Sequence, residues 1–184
     1  MRITEPVTLR ALAHPLRLDL LEVLTITGPA TAAACAQRLG ASQASCSFHL
    51  RQLAKYGYVE RAPSAADGRE RPWRLTSPVQ EWSVAELGSA AQHLDRVLIQ
   101  READRMLDWV ETAQGEPIPW RRAAFAGGAT LPLTSDELTG LREQLRAALE
   151  PFMGRLEGRA PHPAGARPVR IAIAGTPLRI GESA

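Results

Sequence analysis

Three features of this 184-residue sequence predict its fold class. Two short helical patterns meet at Gly40. A strand, a turn and a returning strand follow over 58–76. Small and leucine residues at alternating spacings then run through 83–113. Together they predict a mainly α fold of the α+β class. It comprises a winged helix-turn-helix over 1–80, a long dimerisation helix over 83–113 and a small α/β extension over 117–184.

Residues 7–26 hold two short helical patterns with His14-Pro15 between them. Proline fits a first helical turn and disfavours helix at the residue before it. Leu16, Leu20, Leu21 and Leu24 form the apolar face of the second pattern, which Gly28-Pro29 ends. Thr31 is placed to cap a third helix reaching to about Leu39, and Gly40 breaks it. Ser42 is placed to cap a fourth, with Cys46, Leu50 and Leu53 on its inner side and Gly57 just past its end. The wing is a strand from Tyr58 to Arg61, a turn at Asp67-Gly68 and a strand from Arg71 to Leu75, with Pro72 implying an edge.

In the long helix, Leu87, Ala91, Leu94 and Leu98 make a narrow stripe, interrupted near Arg101 and resumed at Met106, Leu107 and Val110. A stripe this narrow suits a seam between helices, so these four are the expected dimerisation residues, with the first helix beside them. Gly115 and Pro117 stop the helix. Beyond it, Trp120–Phe125 and Ala129–Leu133 flank Gly127-Gly128 and read as a hairpin. Thr134 with Glu137 forms a capping box for an amphipathic helix through Leu138, Leu141, Leu145, Leu149 and Phe152. A proline-rich loop over 158–168 precedes the alternation Val169, Ile171, Ile173, which reads as a last strand.

Composition is that of a globular chain, 45% hydrophobic and 23% charged. No apolar run approaches a membrane span, and Met1–Pro6 does not lead into a signal peptide. Two cysteines, Cys35 and Cys46, make no disulfide framework, so a cytoplasmic location is expected. Net charge is only +2, but residues 38–74 carry seven basic groups against Glu60, Asp67 and Glu70, a local +4. A basic segment on a near-neutral chain points to a polyanion.

The run Leu9-Arg10-Ala11-Leu12-Ala13-His14-Pro15-Leu16-Arg17 with Leu20-Leu21 resembles the opening of ArsR-type regulators. Ser42-Gln43-Ala44-Ser45-Cys46-Ser47-Phe48-His49-Leu50, then Leu53 and Gly57-Tyr58-Val59, resembles their recognition helix and the start of their wing. The likeness covers about residues 7–77. It implies a homodimer that binds pseudo-palindromic double-stranded DNA, represses, and is released by an effector. The part after residue 115 lies outside it.

A recognition helix presents its N-terminal half to base edges. With Cys46, Leu50 and Leu53 inward, the residues facing DNA are Ser42, Gln43, Ala44, Ser45, Ser47, Phe48, Arg51 and Lys55, joined by Arg69 and Arg71 on the wing. Gln43 suits adenine, Arg51 suits guanine or a phosphate, and Phe48 suits either a thymine methyl or helix packing. Ser42 is both cap and phosphate contact, and His49 is read as structural.

No cofactor and no metal are expected. ArsR-type metal sensors use paired cysteines in the third helix or Asp and His ligands along the last one. Here those helices offer Cys35 alone and His93 with Asp95 and Asp104. A closed zinc site needs four ligands. Cys35 and Cys46 fit apolar core positions, and the sharper alternative is a redox-responsive thiol pair. Trp109, Trp120, Phe125 and Phe152 either pack the extension onto the dimer or line a pocket for a small-molecule effector. No phosphate loop, nucleophile elbow or His–carboxylate pair supports an enzyme, and His162 stands alone. A winged-helix module that binds protein is the other alternative.

Overall fold

The computed structural model describes residues 1–63, 71–77, 79–82, 84–156 and 161–178. The expected turn at Asp67-Gly68 and Arg69 lie outside them. By its internal contacts the chain divides into Met1–Asp104 and Arg105–Ala184. The first half of the long helix therefore belongs with the helix-turn-helix, where the sequence suggested a boundary near residue 80.

The first unit begins with α1 (Pro6–Arg10) and α2 (Pro15–Thr27), each opened by a proline in its first turn. The ring Nδ1 of His14 accepts the Leu16 N–H at 3.2 Å and so caps α2. Gly28, at φ 72°, ends that helix in a conformation that a side chain would strain. Next are α3 (Ala32–Leu39), capped by Thr31 Oγ1 on the Ala34 N–H, and α4 (Gln43–Lys55), capped by Ser42 Oγ on the Ser45 N–H. Gly40 joins them at φ 61°, the left-handed turn expected there.

Antiparallel strands β1 (Val59–Arg61) and β2 (Trp73–Leu75) pair Val59 with Leu75 and Arg61 with Trp73. The backbone of Trp73 also exchanges two hydrogen bonds with Ala30, at 2.7 and 2.9 Å, which ties the wing to the turn between α2 and α3. Tyr58 is fully buried, and its hydroxyl donates to the Thr8 carbonyl at 2.8 Å, joining the wing to α1.

Helix α5 (Val84–Thr112) has one non-helical residue, Gly88, at φ 53° and ψ −129°. Its first half closes the core. Leu87, Ala91 and Leu94 are buried among Leu9, Leu12, Leu20, Leu24, Cys35, Cys46, Leu50 and Leu53, and Leu98 packs partly buried against them. This corrects the expected seam. Ala91 and Leu94 have no exposed surface in the single chain, so neither is available to a second helix. The reason is local. The helix-turn-helix leaves its apolar face open, and the first stripe to follow in the chain fills it. The interruption at Arg101 belongs to the same packing, since its guanidinium pairs with Asp19 and Glu22 of α2. On α5 it is Ile99, Met106, Leu107 and Val110 that stand exposed.

In the second unit the last turns of α5 lead through a 3-10 turn (Ala113–Gly115) to α6 (Ile118–Ala123) and α7 (Ser135–Leu156). Two expectations fail here. Trp120–Phe125 is mostly helix, because Pro117 and Pro119 set up a first helical turn, and no hairpin forms about Gly127-Gly128. Val169–Ile173 forms no strand, since no other strand among the described residues of this unit can pair with it. The extension is helical here, and the sheet lies wholly in the first unit. The capping box is present. Glu137 accepts from the Thr134 N–H at 2.8 Å, and Thr134 Oγ1 accepts from the Glu137 N–H at 3.2 Å. No described residue of this unit is buried.

Candidate nucleic-acid interface

Helix α4 has two opposed faces. Cys46, Leu50 and Leu53 have no exposed surface. Gln43, Ala44, Phe48, Arg51 and Lys55 are exposed, and Ser45 and Ser47 are half-covered. The burial of three residues at helical spacing fixes the rotation of the helix, and that rotation turns the polar and basic set outward. Phe48 is 50% exposed, and its ring meets the His49 ring edge-on at 5.1 Å. Its packing partner is thus on its own helix, and the rest of the ring is open to solvent. The exposed Ser42 at the N-terminus of α4 leaves that end open to an anion.

The wing arginines divide. Arg61 lies over the Trp73 ring at 3.9 Å and donates to the Arg71 carbonyl, and Arg74 pairs with Glu60 at 2.7 Å. Both are committed within the hairpin. Arg71 is exposed.

One group was not read from the sequence as a unit. The His14 and His49 rings lie 4.2 Å apart between α2 and α4, with Arg17 beside them. Burial first, then His14 and Arg17, hold His49 below the usual histidine pKa, and burial likewise lowers that of Arg17. His49 Nδ1 and Arg17 Nε are buried without a hydrogen-bond partner. No spacing in the chain announces this contact, because its members sit 35 residues apart and meet only through helix packing.

The thiols of Cys35 and Cys46 are fully buried, neither is in a disulfide, and burial pushes the Cys46 thiol pKa up. A protonated, covered thiol is a poor nucleophile, so the surroundings favour packing over redox sensing. Among the described residues no three His, Cys, Asp or Glu side chains gather as a metal set. No helix among them is long and apolar enough to cross a membrane.

In the second unit an open cavity of about 560 Å³ is lined by Trp109, Ile118, Phe125, Arg121 and Arg122, among others. Of the four aromatic residues expected at an effector site it brings together Trp109 and Phe125 only. Trp120 lies under Arg167 at 5.0 Å and Phe152 under Arg155 at 5.2 Å.

Residues 12–61 match the family profile of a helix-turn-helix domain. The first unit is a winged helix-turn-helix. The match spans α2, the α3–α4 pair and β1, the parts that set the rotation of α4. No curated protein sequence matches the chain. Among solved structures, the chain is similar to the homodimeric winged helix-turn-helix DNA-binding domain of a possible ArsR-family transcriptional regulator from Mycobacterium bovis. That pair shares 25% identity over 56% of this chain and 82% of the other, with a TM-score of 0.35. A protein from Mycobacterium tuberculosis is 21% identical over 60% of this chain and 85% of its own, at a TM-score of 0.36. A transcriptional regulator from Thermotoga maritima is 17% identical over 59% and 82%, at 0.35.

Proposed function

We propose that the chain is a homodimeric, sequence-selective DNA-binding transcriptional repressor of the cytoplasm. Helix α4 enters the major groove, and the wing reaches the backbone or the minor groove. The observation that carries this is the division of α4, with Cys46, Leu50 and Leu53 wholly buried and Gln43, Ala44, Phe48, Arg51 and Lys55 presented outward. Gln43 reads adenine, Arg51 reads guanine or holds a phosphate, and Lys55 holds a phosphate. Ser42, Ser45 and Ser47 contact the backbone near the helix N-terminus, where the dipole and open N–H groups favour an anion. Arg71 of the wing, joined by Arg69, adds charge.

A dimer sets two such helices about 34 Å apart, one turn of DNA, which matches a pseudo-palindrome. In the first unit the exposed Val7 of α1 and Ile99 of α5 offer an apolar surface for that pairing. An effector, where one acts, would enter at the open cavity of the second unit.

The test is fluorescence anisotropy of the purified chain with DNA from its own upstream region and with scrambled DNA, across a salt series. The expected result is selective binding that weakens steeply with salt. Equal, weak binding to both DNAs would overturn the reading and favour a winged-helix module that binds protein. Neutralising Arg51 and Lys55 together separates the two, since it abolishes DNA binding and spares a protein contact made elsewhere.

A further inference from the structure

We infer that the cavity of the second unit binds an aromatic carboxylate, with Arg121 and Arg122 holding the anion and Trp109 and Phe125 flanking the rings. This names a ligand class for the effector site of the reading above and rests on that part of it.

The cavity follows from the local sequence. Pro117 and Pro119 start α6 directly after the 3-10 turn. Along α6, Arg121 and Arg122 stand three and four residues after Ile118, so the three share one face. That face lines the cavity together with Trp109 of α5, and Phe125 joins it just past the end of α6. Every lining residue falls between Trp109 and Ala126, so the cavity lies wholly within the second unit.

Its charge is one-sided. Among the described residues, the nine that line it include two arginines and no acid. Arg121 Nη1 donates to Gln114 Oε1 at 3.0 Å, a neutral acceptor that leaves the charge uncompensated. The Arg122 side chain is exposed and has no hydrogen bond or ion pair with another described residue. Elsewhere in the unit Arg167 is answered by Glu116 and Arg142 by Glu143, so Glu116 is not free to turn to the cavity arginines. A planar guanidinium without a carboxylate suits an anion that accepts from it along two parallel bonds.

The rest of the lining is apolar. Phe125 is 87% exposed and Ile118 54%, so both hold surface that a ligand removes from water. The rings of Trp109 and Phe125 take an aromatic body by offset stacking or edge contact. The volume, about 560 Å³, is that of a small-molecule site. A small inorganic anion answers the arginines and leaves the rings in water. An uncharged aromatic does the reverse. A carboxylate on an aromatic body answers both.

The experiment is isothermal titration calorimetry of the full chain without DNA. The probes are naphthoate, naphthalenemethanol, decanoate and inorganic phosphate. Naphthoate should bind saturably at one site per chain, and the other three at least about tenfold more weakly. Arg122→Gln should weaken naphthoate at least about tenfold, and Arg122→Lys by less, since it keeps the charge and loses the fork. Circular dichroism of both variants should match the parent, and the four probes on the unsubstituted chain test the inference independently of any variant. No heat from naphthoate at millimolar concentration overturns it. So does equal binding of the alcohol, decanoate or phosphate, or an unchanged affinity in a folded Arg122→Gln. A chain that selects its DNA and ignores naphthoate overturns this inference alone, and one that binds naphthoate but no DNA overturns the repressor reading alone.

Discussion

The rings of His14 and His49 lie 4.2 Å apart, one capping α2 and the other on the helix proposed to read DNA. His14 Nδ1 accepts the Leu16 N–H and so closes the first turn of α2. His49 cannot take up a proton without facing His14 and Arg17. The junction thus disfavours a charge on His49.

This gives a pH dependence with a definite sign. The folded pKa of His49 lies below its usual 6.5, so the unfolded chain takes up the proton first as pH falls. Stability is full above about pH 6.5 and falls as pH drops from there toward the folded value. Thermal unfolding followed by circular dichroism at several pH values should show the melting temperature declining over that window. His49→Gln should flatten the decline, and an equal slope in both proteins would refute the assignment.

Ser42→Ala removes the cap of α4 by deleting the oxygen that accepts the Ser45 N–H at 3.1 Å. The expected cost is about 1 kcal/mol. That corresponds to a fall of roughly 4–8 °C for a domain of this size. Ser42→Asp restores the cap and most of the loss, and differential scanning calorimetry reads both.

Leu94 and Ile99 lie on the same helix with opposite fates, one buried at 0% and the other exposed at 67%. Leu94→Ala should cost about 2–5 kcal/mol through the cavity it leaves. Ile99→Ala should change stability by under about 0.5 kcal/mol and weaken self-association. Urea unfolding and sedimentation run side by side check the pair.

On DNA, Lys55→Gln should weaken binding to selective and scrambled sequences alike and lower the salt slope by about 1. Gln43→Ala should cost about 1–3 kcal/mol on the selective site only. Anisotropy titrations at several salt concentrations distinguish the two. Identical effects on both DNAs would remove Gln43 from base reading.

Cys35 and Cys46 are covered by the same core. A thiol reagent such as dithiobisnitrobenzoate should react with neither in the folded chain and with both in guanidinium. Peroxide should leave DNA affinity unchanged. Rapid labelling of the native protein would revive redox sensing.

Most of the first unit was legible in the sequence because its signals are local. Thr31, Ser42, Gly28, Gly40 and Gly57 act on backbone within a few residues of themselves, and Cys46, Leu50 and Leu53 fix a helix face by spacing alone. What spacing cannot say is what covers an apolar face. Leu87, Ala91 and Leu94 show the periodicity of a seam whether the neighbour is a second chain or their own helix-turn-helix, and only packing chose the latter. The same holds for Trp120–Phe125 and Val169–Ile173, since a strand needs a partner whose presence no stretch of sequence reports. The sequence by itself determined the first four helices, their ends and the face α4 presents. Tertiary structure decided which chain fills each apolar stripe and brought His14 against His49, because contacts between distant residues follow from burial of the whole core.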